Sequence, residues 1–240
     1  MLKKTLLAAG TAAALSFAGA AQADIIDLFS FDQAALILSD VGGPIFSEAG
    51  PSGTIIGSFR DLGLQVFSDT GSSTARAIVE VAGGIFSFSS DNGIGAQATV
   101  QWDGDDVAAI GNLQTTGLGG VDLTAANADR FILTVLSADL GFPFQLRATD
   151  MIGGDATLNL VSAGAGVFEI PFASFAGVDF SQIGSISAVV NTGGATVALD
   201  LSVSDVRTNQ QEVPEPASLS LLGLGLLGLT FAARRGKKSA

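Results

Sequence analysis

The sequence has no cysteine, no histidine and no tyrosine, and Trp102 is its one tryptophan. Without cysteine there is no disulfide framework, so burial alone must hold a fold together. Without cysteine and histidine there is no thiolate nucleophile, no imidazole base and no zinc site of the usual ligand set. A Ser-His-Asp triad is excluded for the same reason. The catalytic chemistry that survives is that of a carboxylate pair. Positive charge is scarce as well. Between Asp24 and Val213 there are 22 Asp/Glu, five Arg and no Lys, a formal charge of −17. Such a surface repels nucleic acid and anionic lipid. It is open to divalent cations. Helical periodicity is almost missing from the same stretch.

The two ends differ from this acidic middle. Lys3-Lys4 precede an apolar, small-residue stretch from Leu6 to Ala21, and Ala21-Gln22-Ala23 forms an A-x-A site. That pattern predicts a signal peptide over 1–23, with cleavage between Ala23 and Asp24. At the other end, Val213-Pro214-Glu215-Pro216 leads into the uncharged run Ala217–Ala233, followed by Arg234-Arg235-Gly236-Lys237-Lys238. The prolines fix φ and remove N–H donors, so the segment before the run is extended. The run would make a transmembrane helix of roughly 26 Å, near the lower limit for a bilayer core. The basic cluster behind it holds that end in the cytoplasm.

Pro214, Glu215, Pro216, the Leu/Gly-rich span and Arg234-Arg235, in this order at the C-terminus, resemble the PEP-CTERM sorting signal. The resemblance implies an exported bacterial protein that is transiently anchored in the inner membrane. It implies an exosortase as processing partner, removal of the tail, and delivery to the cell surface or an extracellular polysaccharide matrix. The logic is that of other tails that are cut away, so that the mature protein spans nothing. Two stretches of the body, Ile55–Leu62 and Gly117–Thr124, are similar to segments of uncharacterised PEP-CTERM proteins. Where those segments carry Gly-Glu before an Arg-Asp pair, this chain has Ser58-Phe59 before Arg60-Asp61.

The body reads as strands. Ala75, Ala77, Val79 and Val81 alternate with Arg76, Ile78 and Glu80; Ala96, Ala98, Val100 and Trp102 alternate with Gln97, Thr99 and Gln101. Phe86/Phe88 and the run Val197–Ser204 alternate likewise. One side of each run can meet a core and the other water. Further strands are predicted over Phe131–Ala138, Phe142–Ala148, Thr157–Val161, Val167–Phe172 and Ile183–Val190. Gly83-Gly84, Asn92-Gly93, Gly153-Gly154 and Gly193-Gly194 punctuate them, and Asn92-Gly93 predicts a tight hairpin. One short helix is predicted near Asp32–Ser39. The expected architecture is an all-β, two-sheet antiparallel sandwich, a jelly roll, over 24–207. A polar spacer over 208–213 then leads to the sorting signal over 214–240.

Candidate sites are few. Asp103-Gly104-Asp105-Asp106 forms an acidic turn after Trp102, and a core tryptophan fits that position better than a sugar platform. Arg60, Arg130 and Arg147 are expected to pair with carboxylates; the functional alternative is contact with an anion or uronate. Glu80 and Glu169 could serve as the acid and base of a hydrolase only if they share a cleft. Carboxylates gather at both ends of the body. Asp205 breaks its strand's alternation, since Val206 follows Val203 by three positions, which predicts a bulge. If the first and last strands lie side by side, Asp27, Asp200 and Asp205 become candidate ligands for a Ca²⁺.

Three functions remain. The leading expectation is a non-enzymatic structural or interaction protein of the surface or matrix. The alternative is a polysaccharide-binding jelly roll, with Ca²⁺ as a possible stabiliser. The third is a carboxylate-only glycoside hydrolase. An exposed aromatic strip would favour the second, and two carboxylates about 5–9 Å apart in a cleft the third.

Overall fold

A computed structural model describes residues 25–105 and 112–209. The signal-peptide site at Ala21, Ala23 and Asp24 lies outside those residues, as do Asp106, Pro214, Glu215, Pro216, Arg234, Arg235 and the expected transmembrane run.

Among the described residues the chain forms thirteen strands, and its helical pieces are single 3-10 turns. In order, the strands are β1 (Ile25–Asp27), β2 (Gln33–Leu38), β3 (Gly42–Ala49), β4 (Arg60–Asp69), β5 (Ala77–Ala82) and β6 (Ile85–Ser90). There follow β7 (Ile94–Trp102), β8 (Arg130–Ala138), β9 (Phe142–Asp150), β10 (Asp155–Ser162), β11 (Gly166–Pro171), β12 (Ile183–Val190) and β13 (Asp200–Thr208). They make two antiparallel sheets. One runs β11-β8-β13-β6-β5-β2, with β1 also paired to β13; the other runs β10-β9-β12-β7-β4-β3. The strand alternation explains why the sheets stack. Leu62, Leu64 and Val66 of β4, Ala96, Ala98 and Val100 of β7, and Phe144 and Leu146 of β9 point inward. They meet Val79, Phe86, Phe88, Leu201 and Val203 of the other sheet within one core. At one end Phe131, Phe172, Phe175 and Phe180 cluster, with Phe172 and Phe180 stacked at 4.0 Å. Burying each such ring contributes about 1.5–3 kcal/mol, so packing accounts for these phenylalanines.

The bulge in the last strand is present. The register of β13 on β8 shifts between Val203 and Asp205, which returns Val206 to the core. The first and last strands are neighbours as well, with Ile25 opposite Arg207 and Asp27 opposite Val206.

Three local expectations need correction. Residues 33–38 form an edge strand on β5 rather than a helix. Tertiary contacts decide this: Gln33 is buried, with its amide donating to Ser47 O and Oγ at 2.9 Å each and accepting from Arg60 Nε at 2.9 Å. Asn92-Gly93 is not a hairpin, because β6 and β7 lie in different sheets. The turn carries the chain across the core, is closed by Ile94 N–H to Asp91 O at 2.9 Å, and has positive φ at Gly93 but not at Asn92. Gly83-Gly84 is the tight hairpin instead, with φ of 60° and 82° between paired Ala82 and Ile85. Finally, Val197 is exposed and Ala198 has φ 55°, so the last strand starts only at Asp200.

A buried polar hub ties the sheets together. Arg60, on β4, is fully buried and donates through Nη1 to both oxygens of the buried Asp27, at 3.1 and 2.9 Å. Its Nη2 donates to Phe31 O at 2.7 Å, and its guanidinium lies 5.6 Å from the centre of the Phe29 ring. Asp27 also accepts from Trp102 Nε1 at 2.9 Å and from Phe29 N–H at 2.7 Å. One carboxylate on β1 therefore holds β4 and β7 of the opposite sheet.

The stretches Ile55–Leu62 and Gly117–Thr124 meet beside this hub. A Cβ on Gly57 would lie 2.4 Å from Leu118 Cδ2. Ser58 sits here with φ 72°, a left-handed conformation that costs a residue other than glycine on the order of 1 kcal/mol. Ser58→Gly is therefore expected to raise the melting temperature by about 2–4 °C. An unchanged or lower melting temperature would show that Ser58 carries no strain.

Candidate functional site

The outer face of the β10-β9-β12-β7-β4-β3 sheet is built from the residues that alternate with its core. Pairing sets them in rows across the strands. One row reads Asn159, Gln145, Val189, Thr99, Gly63, Phe46; the next reads Thr157, Arg147, Ser187, Gln101, Asp61, Glu48. Six strands at the usual spacing span roughly 24 Å. Two adjoining grooves lie on this face, of about 460 Å³ and about 320 Å³, and both are lined by Arg147 and Ser187. The larger is also lined by Gln65, Gln97, Thr99 and Gln101. Each groove falls in the size range of ligand pockets.

Gln101 forms part of the floor. It is 4% exposed, and its Oε1 is buried with no hydrogen-bond partner among the described residues. A buried acceptor left without a donor costs about 1–3 kcal/mol. Phe46 forms one wall, and its ring covers Gly63: a Cβ there would lie 2.3 Å from Phe46 Cε1. Asn112 and Leu113 form another part of the wall. Their loop is held by Gln114 N–H to Asp103 Oδ2 at 2.7 Å and by Leu118 N–H to Gly184 O at 2.8 Å. Gly117 is required in that loop, since a Cβ would lie 1.6 Å from Asp103 O.

The carboxylates named from sequence are dispersed. Asp27 faces the guanidinium of Arg60 inside the core, so the cation it meets is an arginine. Asp200 accepts from Ser89 Oγ on the outer face of the other sheet. Asp205 accepts from Ser204 Oγ at 2.8 Å and from Arg207 Nε at 2.9 Å. Among the described residues no three Asp or Glu come together as a metal cluster, and Asp27, Asp200 and Asp205 each have a protein partner in a different place. Asp103 is buried and anchors a loop, while Asp105 is exposed. Glu80 on β5 and Glu169 on β11 are separated by β6, β13 and β8, roughly 19 Å across the sheet. They share no cleft. Trp102 is buried in the hub and offers no platform. The arginines pair with carboxylates: Arg130 with Asp129 and Glu169, Arg147 with Asp155, and Arg60 with Asp27 rather than with its neighbour Asp61.

Several carboxylates are held below their ordinary range. For Asp155 the main cause is hydrogen bonding from Arg147. For Asp150 it is the Asp179 backbone N–H at 2.8 Å, followed by Gly154 N–H at 2.7 Å and Ile152 N–H at 2.9 Å. A lowered folded-state value means that the unfolded chain binds protons first. The stabilisation is therefore complete above the unfolded value, near pH 4, and is lost as pH falls through the folded value. Asp150→Asn should melt below the native protein at pH 6, and the gap should close as pH drops below about 4. A gap that stays constant down to about pH 2.5 would contradict the role given to this carboxylate.

No curated protein matches this sequence. Among solved structures, PfGH50B is similar to 64% of this chain and 23% of its own, at 10% identity and a TM-score of 0.36. An exo-beta-agarase is similar over 81% of this chain and 26% of its own, at 10% identity and a TM-score of 0.38. The chain thus covers about a quarter of each of those two proteins. A family 11 carbohydrate-binding module from Clostridium thermocellum, in complex with a beta-1,3-1,4-mixed-linked tetrasaccharide, is similar over 74% of this chain and 97% of its own. Its identity is 12% and its TM-score 0.29. The family model of the PEP-CTERM protein-sorting motif matches residues 212–236. With Pro214-Glu215-Pro216, the apolar span and Arg234-Arg235 inside that match, the chain is an exported protein that carries a PEP-CTERM sorting motif.

Proposed function

We propose that this protein is a non-enzymatic glycan-binding module, wound as a jelly roll and delivered to the cell surface or an extracellular polysaccharide matrix. An exosortase removes its tail on the way. The observation that carries the reading is the groove over β9, β12, β7 and β4, with the unpaired Oε1 of Gln101 in its floor. Amides and hydroxyls line it, and these groups both donate and accept, as sugar hydroxyls do. Among the described residues the aromatic contribution is the ring of Phe46 rather than a strip. Binding therefore rests on hydrogen bonds more than on stacking. The sorting motif supports the reading by sending the groove where polysaccharide is met.

Depletion from solution by insoluble polysaccharides tests this. The native protein should be retained by at least one of a panel of glycans, and free oligosaccharide of the same glycan should release it. Thr99→Trp fills the groove from its central strand and should cut retention by at least about tenfold, with the fold intact by circular dichroism. Equal retention of native and filled protein would remove the groove from consideration.

A further inference from the structure

We infer that the groove takes an uncharged, hydroxyl-rich glycan and rejects uronate-containing or sulfated chains. This rests on the groove being the glycan site and adds the charge class of the ligand.

The cation that lines the groove is already neutralised. Arg147 donates to Asp155 through two nitrogens, Nε at 2.8 Å to Oδ1 and Nη2 at 2.6 Å to Oδ2. This two-bond geometry is the one an incoming carboxylate or sulfate would need, and Asp155 occupies it. Among the described residues, Asp155 is the carboxylate that lines the grooves, and it is held by this arginine. The group that needs a partner is an acceptor, Gln101 Oε1. A hydroxyl can donate to it, whereas an ionised carboxylate or sulfate only accepts. The body's formal charge of −17 adds a long-range repulsion toward any polyanion. At close range a neutral ligand meets amides and hydroxyls that both donate and accept, while an anionic ligand finds the arginine of the groove already held by Asp155.

The test is affinity electrophoresis of the full-length protein in gels containing neutral glycans (a β-glucan, a galactan and a mannan), alginate or dextran sulfate. It is run at about 20 mM and about 500 mM salt. Retardation is expected in at least one neutral gel, changed less than about twofold by salt, with at least about tenfold weaker retardation in alginate and dextran sulfate. Asp155→Asn releases Arg147 from its carboxylate. It should strengthen retardation by alginate, and added salt should reverse the gain. If alginate or dextran sulfate binds more tightly than every neutral glycan and salt weakens it, the charge assignment is overturned while the groove stands as a glycan site. If no gel retards the protein, both readings fall.

Discussion

Asp27→Ala is expected to destabilise the protein by about 3–5 kcal/mol, a fall in melting temperature of about 6–20 °C. The change leaves the guanidinium of Arg60 fully buried and without its carboxylate. It also strips Trp102 Nε1 and Phe29 N–H of their acceptor. Arg60→Leu should cost a similar amount, because it leaves a buried carboxylate without its cation. The pair itself need not be worth that much. Two charges removed from water are costly, and a well-packed apolar pair in their place is often neutral. Asp27→Leu combined with Arg60→Met should therefore lose much less than the two single losses added together. If the losses simply add, or if Asp27→Ala melts within about 1 °C of the native protein, the hub is not the clasp between the sheets.

Gln101→Leu is expected to separate stability from binding. Leucine is of similar size and removes the buried Oε1 that has no donor, so the protein should gain about 1 kcal/mol or more, or about 2–4 °C. The same change should weaken glycan binding by at least about tenfold, since the ligand hydroxyl loses its acceptor and meets a methyl group. An ordinary packing residue would not behave this way, because its truncation or replacement lowers stability and affinity together. A Gln101→Leu protein that is less stable than the native one and still binds would show that Oε1 serves the fold instead of a ligand.

Much of the fold was legible because strand alternation is a local property. The pattern of Ala96, Ala98, Val100 and Trp102 against Gln97, Thr99 and Gln101 marks both the core face and the face that carries the groove. The bulge before Val206 was legible for the same reason, as a break in period two. What failed depended on partners far along the chain. Asn92-Gly93 has the sequence of a hairpin but bridges two sheets, because β7 finds its partners in β4 and β12. Residues 33–38 became a strand through Ser47 and Arg60. Asp27 looked like a metal ligand because neighbouring first and last strands were expected to bring it to Asp200 and Asp205, whereas the group that claims it is Arg60 of the opposite sheet. The site itself could not be assembled from spacing. Gln101, Ser187 and Arg147 come together only once the strand order β9-β12-β7 is known.

The central claim is that a glycan lies on the outer face of the β10-β9-β12-β7-β4-β3 sheet. Its most direct test is a two-dimensional ¹H–¹⁵N titration of the protein with a soluble fragment of a glycan that retains it. The side-chain amide signals of Gln65, Gln97, Gln101 and Asn112 should shift and saturate together. Those of Gln33, buried in the hub, and Asn209, at the end of the other sheet, should stay fixed. Shifts confined to the opposite sheet, or a bound glycan that leaves the Gln97 and Gln101 amides unmoved, would contradict the account.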